Sequence, residues 1–219
     1  MDKYRMRFSK IGRAIYISHL DLMHTMQRAF SRAGFRIKYS EGFNPHPILS
    51  IALPLSVGTS SVCELMDFRM TEEAAAEVIV DRLNHTLPEG ITVQEVYEPQ
   101  RKASELKYLE LAGRMEYDHA LPGVMAEELR SFYSADSIVI SKKSKRGFSD
   151  FDVISGIRSL EFSAGEEAVK VKAVVSAQEP TFNPDLLSEA LRQKKPELAP
   201  DFAAFTRMET FDAGMHVFR

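Results

Sequence analysis

Three short stretches hold the residue types best suited to chemistry. The first, "SHLDLMH" (18–24), sets His19, Asp21 and His24 around the start of an amphipathic run. A histidine in the first turn of a helix meets free backbone N–H groups and the positive dipole end, a setting that favours bound anions. His19 there could serve as a general acid/base in phosphodiester cleavage. It could equally be a capping or surface side chain. The i, i+2, i+5 spacing does not gather His19, Asp21 and His24 on one helical face, so a metal site is not expected.

The second stretch, "EGFNPHP" (41–47), places Asn44 and His46 each before a proline. Pro45 and Pro47 fix φ, remove two N–H donors and push the preceding residues toward extended geometry. A loop this stiff presents an amide and an imidazole at low entropic cost, or it is a plain strand connection. The third, "SKKSKRG" (141–147), holds Lys142, Lys143, Lys145 and Arg146. It reads as a basic loop suited to a polyanion backbone, or as a solvated hairpin tip. Nucleotide-binding glycine motifs and the G-x-S-x-G nucleophile motif are absent, and the lone Cys63 cannot carry an iron–sulfur cluster by the usual thiolates.

The elements that must position these residues follow from periodicity. "KYRMRFS" alternates, with Tyr4, Met6 and Phe8 on one side and Arg5 and Arg7 on the other. Ser18 caps a helix that runs to Ala33 and stops at Gly34, with Leu22, Met23, Met26, Phe30 and Ala33 as its apolar stripe. Asp21, His24, Arg28 and Arg32 share its outer side. Strands are expected at 35–40, with Phe35, Ile37 and Tyr39 inward and Arg36 and Lys38 outward, and then at 48–55 and 64–70. A helix over 71–87 with Thr71 as N-cap and a strand at 91–98 complete the unit. A linker covers 99–104.

The order then recurs: a strand at 105–117, a helix at 123–135 and a strand at 137–143. An extended or irregular stretch at 151–163 leads to a strand at 168–176. A helix with Asn183 as N-cap and a strand at 205–211 follow. The reading is α+β, two tandem ferredoxin-like (βαββαβ) units with antiparallel sheets, at 1–99 and 104–212, with a tail at 213–219. On the helix-free face of the first sheet Arg5, Arg7, Arg36, Lys38 and Arg69 would project, neutralised locally by Asp67. That is a phosphate-contacting pattern.

Composition agrees with a globular chain: 44% hydrophobic and 27% charged, with no run long enough to span a membrane and no signal-peptide core. The net charge of −3 hides a basic start, with nine Lys/Arg against two Asp/Glu in residues 1–40. One cysteine among ten methionines fits a reducing cytoplasm.

The run from Ile17 to Phe68 resembles a bacterial radical-SAM-associated family of unknown function. The resemblance rests on Arg7, Lys10, Gly12, Ser18–Leu22, Arg28–Ala29, Arg32–Ala33, Tyr39–Ser40, Gly42–Pro47, Pro54–Leu55, Val57–Gly58, Ser61, Glu64 and Asp67. It thins to "KSKRGFSDFDVISGI" around Asp152, and Ser31 stands where a second Arg is common. A more distant similarity is to the ferredoxin-like CRISPR RNA-processing endonucleases. The resemblance implies a separate radical SAM protein as partner and RNA (tRNA or rRNA) as ligand; no cofactor, DNA or membrane is expected for this chain. The expected role is a non-catalytic accessory protein. Arg5, Arg7, Arg36, Lys38 and the 142–146 cations would lie on phosphates, and His19, Asp21, Arg28, Arg32, Tyr39, Asn44 and His46 on the specific feature. The alternatives are a metal-independent ribonuclease using His19 or His46, and a protein–protein adaptor.

Overall fold

The computed structural model describes residues 3–144 and 147–219. The architecture is mixed α/β, with four α-helices among the described residues and antiparallel strand pairing. The chain divides into two compact units, 1–105 (with Arg219) and 106–218.

In the first unit the order is β1 (Lys3–Lys10), α1 (His19–Arg32), β2 (Leu49–Ile51), β3 (Ser60–Arg69), α2 (Ala76–Asn84) and β4 (Ile91–Tyr97). The strands lie side by side as β4-β1-β3-β2. Tyr4, Met6 and Phe8 of β1 face Met66 and Phe68 of β3 and the stripe Leu22, Met26, Ala29 and Phe30 of α1. Ile79 and Leu83 of α2 close the same core. Period 2 on the strands and period 3.6 on the helices converge on one apolar layer.

The start of α1 is built as its sequence predicts. The Ser18 hydroxyl accepts from the Asp21 N–H (3.2 Å) and donates to the Asp21 carboxylate (2.7 Å). Its end is Gly34 at φ +79, where a left-handed residue is needed.

Four local expectations need correction. Residues 35–40 are not a strand. They make only isolated bridges, Ile37 to Met70 and Tyr39 to Pro47. The 48–55 strand shrinks to Leu49–Ile51, because Pro45 and Pro47 carry no N–H with which to extend a ladder upstream and Pro54 breaks it downstream. Tyr39 points outward, 60% exposed. Thr71 does not cap α2: its N–H and hydroxyl both go to the Arg36 carbonyl (2.9 and 3.4 Å), so the helix starts only at Ala76.

The second unit runs β5 (Tyr108–Glu116), α3 (Pro122–Tyr133), β6 (Val139–Ser144), β7 (Gly147–Asp152), β8 (Ile157–Ala164), β9 (Ala168–Ser176), α4 (Asp185–Lys194) and β10 (Phe202–Phe211). Its sheet order is β10-β5-β9-β8, and β6 and β7 pair only with each other. Leu109, Leu111, Val169, Val171, Ala173 and Val175 form the buried strand face, met by Met125 and Leu129 of α3 and Leu187 and Leu191 of α4. The stretch 151–163 resolves into the end of β7, a 3-10 turn at Ile154–Gly156 and β8. The Asn183 side chain accepts the Asp185 N–H (3.2 Å), but the residue at the N-cap of α4 is Pro184, one position after the expected Asn183.

Asp152 ties down the base of the β6–β7 hairpin. Its Oδ1 accepts the N–H of Ile138 (3.0 Å) and of Ile154 (3.1 Å). Desolvation works to raise its pKa. The Ile138 N–H, the Ser137 hydroxyl and the Ile154 N–H outweigh that and hold the carboxyl below its ordinary value. A depressed carboxylate stabilises the fold above its unfolded value, near 4, and that contribution fades as pH falls through the folded value. Asp152→Asn is therefore expected to speed amide exchange at Ile138 and Ile154 by about tenfold at neutral pH, with the difference from wild type shrinking below about pH 4. A pH-independent difference would exclude the charged form as the cause.

Candidate functional site

The 39–47 loop is a closed hairpin tip. The Ser40 N–H donates to the His46 carbonyl (2.8 Å), the His46 N–H donates to the Ser40 hydroxyl (3.0 Å), and Ser40 Oγ lies 2.9 Å from His46 Nδ1. One step inward, the Ile48 N–H donates to the Lys38 carbonyl and the Lys38 N–H to the Arg69 carbonyl. Gly42 turns the tip at φ +122. The prolines stiffen it, and Ser40 with His46 closes it. What it presents to solvent is Tyr39, Phe43 and Asn44, with Phe43 fully exposed. His46 is exposed too, but its ring is engaged with Ser40.

The lead-in is anchored in the core. Phe35 packs edge-on against Phe30 at 6.4 Å between centroids, and the Arg82 guanidinium lies 5.6 Å from the centre of the Phe35 ring. Arg36 and Arg69 are exposed beside the hairpin base and Lys38 is half-buried. An ordered tip with outward aromatics and cations at its root can stack bases and meet phosphates.

The α1 residues are placed separately. His19 is the first residue of α1 and half-buried, while Asp21, His24, Arg28 and Arg32 are exposed. Arg32 donates to the Thr86 carbonyl (2.7 Å). Fourteen residues at 1.5 Å rise put the two ends of α1 about 20 Å apart. His19 sits at one end, and the chain leaves the other toward Asn44 and His46. Among the described residues no hydrogen bond or ion pair links His19 to His46. The start of α1 is instead held from below. The Lys10 amine, buried, donates to the Ile15 carbonyl (3.1 Å). Desolvation lowers its pKa and the nearby Glu64 opposes this. The Ile11 N–H donates to the carbonyl of Gly90, which sits at φ +88 and where a Cβ would collide with the Ile11 carbonyl oxygen.

Arg5 does not belong with the phosphate ligands. It has no exposed surface, and Nε and Nη2 donate to the Asp67 carboxylate at 2.6 and 2.9 Å. Across the strand pair, Tyr97 has its hydroxyl pushed up to about 12, chiefly by burial and against the nearby Arg5 charge. Arg5 is buried between two partly exposed neighbours, Asp67 and Tyr97. Arg7 is half-buried, its Nε donating to the Val62 carbonyl (3.4 Å). Of the basic hairpin, Lys142 sits 4.7 Å from the centre of the Phe151 ring. Lys145 and Arg146 lie outside the described residues, as does the Lys143 side chain.

Two residues escaped the sequence reading, Phe43 and Phe148. Both are exposed aromatics directly after a glycine with positive φ. The signal is in the sequence: each lies in a polar stretch with no aliphatic residue two positions away to share a buried face. Two larger concavities lie elsewhere, about 640 Å³ between α2 and β4 around Val80, Asn84 and Gln94, and about 800 Å³ across β5, β8 and β9 around Glu110, Lys172 and Phe211. Among the described residues no three metal-ligating side chains gather, and no helix is long and apolar enough to cross a membrane.

Residues 3–184 match the family described as "Uncharacterized protein conserved in bacteria (DUF2344)". The chain belongs to this family. The DUF2344 match takes in the hairpin tip, all of α1 and the β6–β7 hairpin, and stops just before α4. No curated protein matches. A crystal structure of an unknown protein from Galdieria sulphuraria is similar at a TM-score of 0.28 and 10% identity, over 93% of this chain and 95% of that one. At that score it carries no argument about the DUF2344 fold. Neither match names an activity, an RNA or a radical SAM partner.

Proposed function

We propose that this DUF2344 protein is a non-catalytic, cytoplasmic accessory protein that binds RNA through the hairpin tip of its first unit and works with a separate radical SAM enzyme. The observation that carries the RNA reading is the pair of outward aromatics, Tyr39 and Phe43, on a hydrogen-bonded tip rooted among Arg36, Lys38 and Arg69. The partner enzyme rests on the sequence resemblance alone. We also read each unit as ferredoxin-like. The orders β4-β1-β3-β2 and β10-β5-β9-β8 support this, each built from strand–helix–strand halves with antiparallel neighbours.

The test is binding to total cellular RNA as salt rises from about 50 to about 200 mM. Arg36, Lys38 and Arg69 on three single-stranded phosphates give a log–log slope of about −2. Absence of binding at the low-salt end would overturn the proposal. A second reading, the protein adaptor, is favoured by one observation. Tyr16, Leu20 and Val57 are exposed apolar residues near one another, the Gly58 N–H donating to the Ile15 carbonyl. An adaptor would show no RNA affinity and would retain its partner in high salt.

A further inference from the structure

The sheet of the first unit ends on β4, which pairs with β1 and with no other strand among the described residues. A strand in that position offers backbone N–H and C=O groups to a further strand. Natural proteins blunt such edges with lysine, with proline or with a covering element. The β4 sequence, "ITVQEVY", contains neither residue. It is covered at one point. The Asn84 side chain accepts the Val93 N–H (2.8 Å) and donates to the Val93 carbonyl (2.9 Å), as a neighbouring strand would. From Gln94 to Tyr97 no side chain among the described residues does the same.

A trough follows this open edge. About 640 Å³ of it lies between α2 and β4, with Ala76, Val80 and Val96 as its apolar floor and Glu77, Asp81 and Glu95 at its rim. About 450 Å³ more continues past Ala76 to Tyr97 and Glu98. Among the described residues no lysine or arginine lines either hollow. Glu95 is paired with Arg219 at 3.1 Å, and Asp81 has the exposed His85 ring 3.6 Å away. Glu77 and Glu98 have no ion-pair partner among the described residues. The trough is thus apolar at its base and negative at its margin.

We infer that the β4 edge and its trough receive an extended, basic segment of a partner protein as an added strand. Main-chain hydrogen bonds along 94–97 hold the segment, and every second side chain of it turns toward α2. Lysine or arginine suits those positions. The aliphatic stem lies on Val80 and Val96, and the charged head reaches Glu77 and Asp81. An acidic segment is repelled, and a second copy of β4 would bring the same carboxylates against themselves. Asn84 limits the added strand at one end, and Pro99, which has no N–H to give, limits it at the other. None of these residues belongs to the 39–47 tip, so the inference stands apart from the RNA reading.

The test titrates the full chain with a fluorescein-labelled peptide of alternating lysine and valine, as long as β4 at 7 residues. Two N-methylated forms keep its charge, one blocked at the lysine amides and one at the valine amides. An added strand uses only alternate amides, so one form is expected to lose about tenfold more affinity than the other. Glu77→Gln combined with Asp81→Gln is expected to weaken the parent peptide about fivefold at low salt, with the thermal midpoint unchanged. Equal losses in the two N-methylated forms would overturn strand addition. A glutamate–valine peptide bound as tightly as the lysine–valine one would overturn the basic occupant. No binding by wild type would overturn the proposal as a whole. So would a wild-type chain that sediments as a dimer and takes up no peptide, since the edge would then belong to a second copy.

Discussion

Asp67→Ala is expected to destabilise the first unit by about 3 kcal/mol, the lower end for breaking a buried pair from one side. Arg5 has no exposed surface and gives two short hydrogen bonds to a carboxylate that is itself only 24% exposed. Removing the carboxylate leaves the guanidinium charged, because its pKa is too high for it to escape by deprotonation. In a unit of this size such a loss lowers the midpoint by roughly 10 °C or more. Replacing both partners together, Arg5→Met with Asp67→Leu, should recover most of it, since desolvating the pair costs much of what their attraction returns. The double variant also separates stability from binding. If Arg5 is structural, it keeps the wild-type salt slope for RNA. A single Asp67→Ala variant within about 0.5 kcal/mol of wild type would sink this account.

Phe30→Ala is expected to cost 3–5 kcal/mol by denaturant unfolding, the range for emptying a large aromatic from a core. Phe30 is fully buried and lies 4.8 Å from the Phe68 ring and 6.4 Å from Phe35, while Phe68 itself stacks on Tyr4 at 5.4 Å. The cavity would therefore open against side chains of β1, β3 and the segment after α1 that are locked to one another and cannot collapse into it. Phe30→Leu, closer in volume, should cost under about 1.5 kcal/mol. Phe35 loses its edge contact in either variant, and Phe35 leads directly into the tip. RNA binding should therefore weaken in Phe30→Leu by more than its small stability loss explains. Unchanged binding in that variant would show that the tip is held by its own hydrogen bonds alone.

The core was readable in the sequence because it obeys simple periods. Tyr4, Met6 and Phe8 alternate, Leu22, Met26, Phe30 and Ala33 repeat by turns, and all seven meet in one layer. The Ser18 cap was equally plain. Residues 35–55 were not, because apolar alternation marks only half of what a strand needs. The other half is an unbroken set of N–H donors facing a partner, and Pro45, Pro47 and Pro54 deny it. Tyr39 was assigned inward on that alternation, and it turned outward once the ladder failed to form. Thr71 carried a capping signal, but its hydroxyl was claimed by Arg36, a residue distant in sequence, which no local pattern reports. Arg5 looked like Arg7 in the alternation. The difference lies in Asp67, opposite it across the strand pair. Strand register, which the sequence does not state, decides which arginine clasps a carboxylate and which gives its Nε to a backbone carbonyl.

The base of the β6–β7 hairpin has one more consequence. The Val153 N–H donates to the Ile138 carbonyl at 2.9 Å and Asp152 accepts the Ile138 N–H, so the chain leaves and rejoins the second unit at one pinned point. Whatever is spliced between those two residues closes a loop whose ends are already in contact, and the entropy of a longer loop grows only logarithmically. While Ile140 stays buried, Asp152 keeps its hydrogen bonds and Gln193 of α4 keeps its bond to the Ser141 N–H, the outer part of that segment can be lengthened, shortened or exchanged without disturbing the sheet beneath. The unit is a socket, and the reach of what is plugged into it can change as long as those contacts hold.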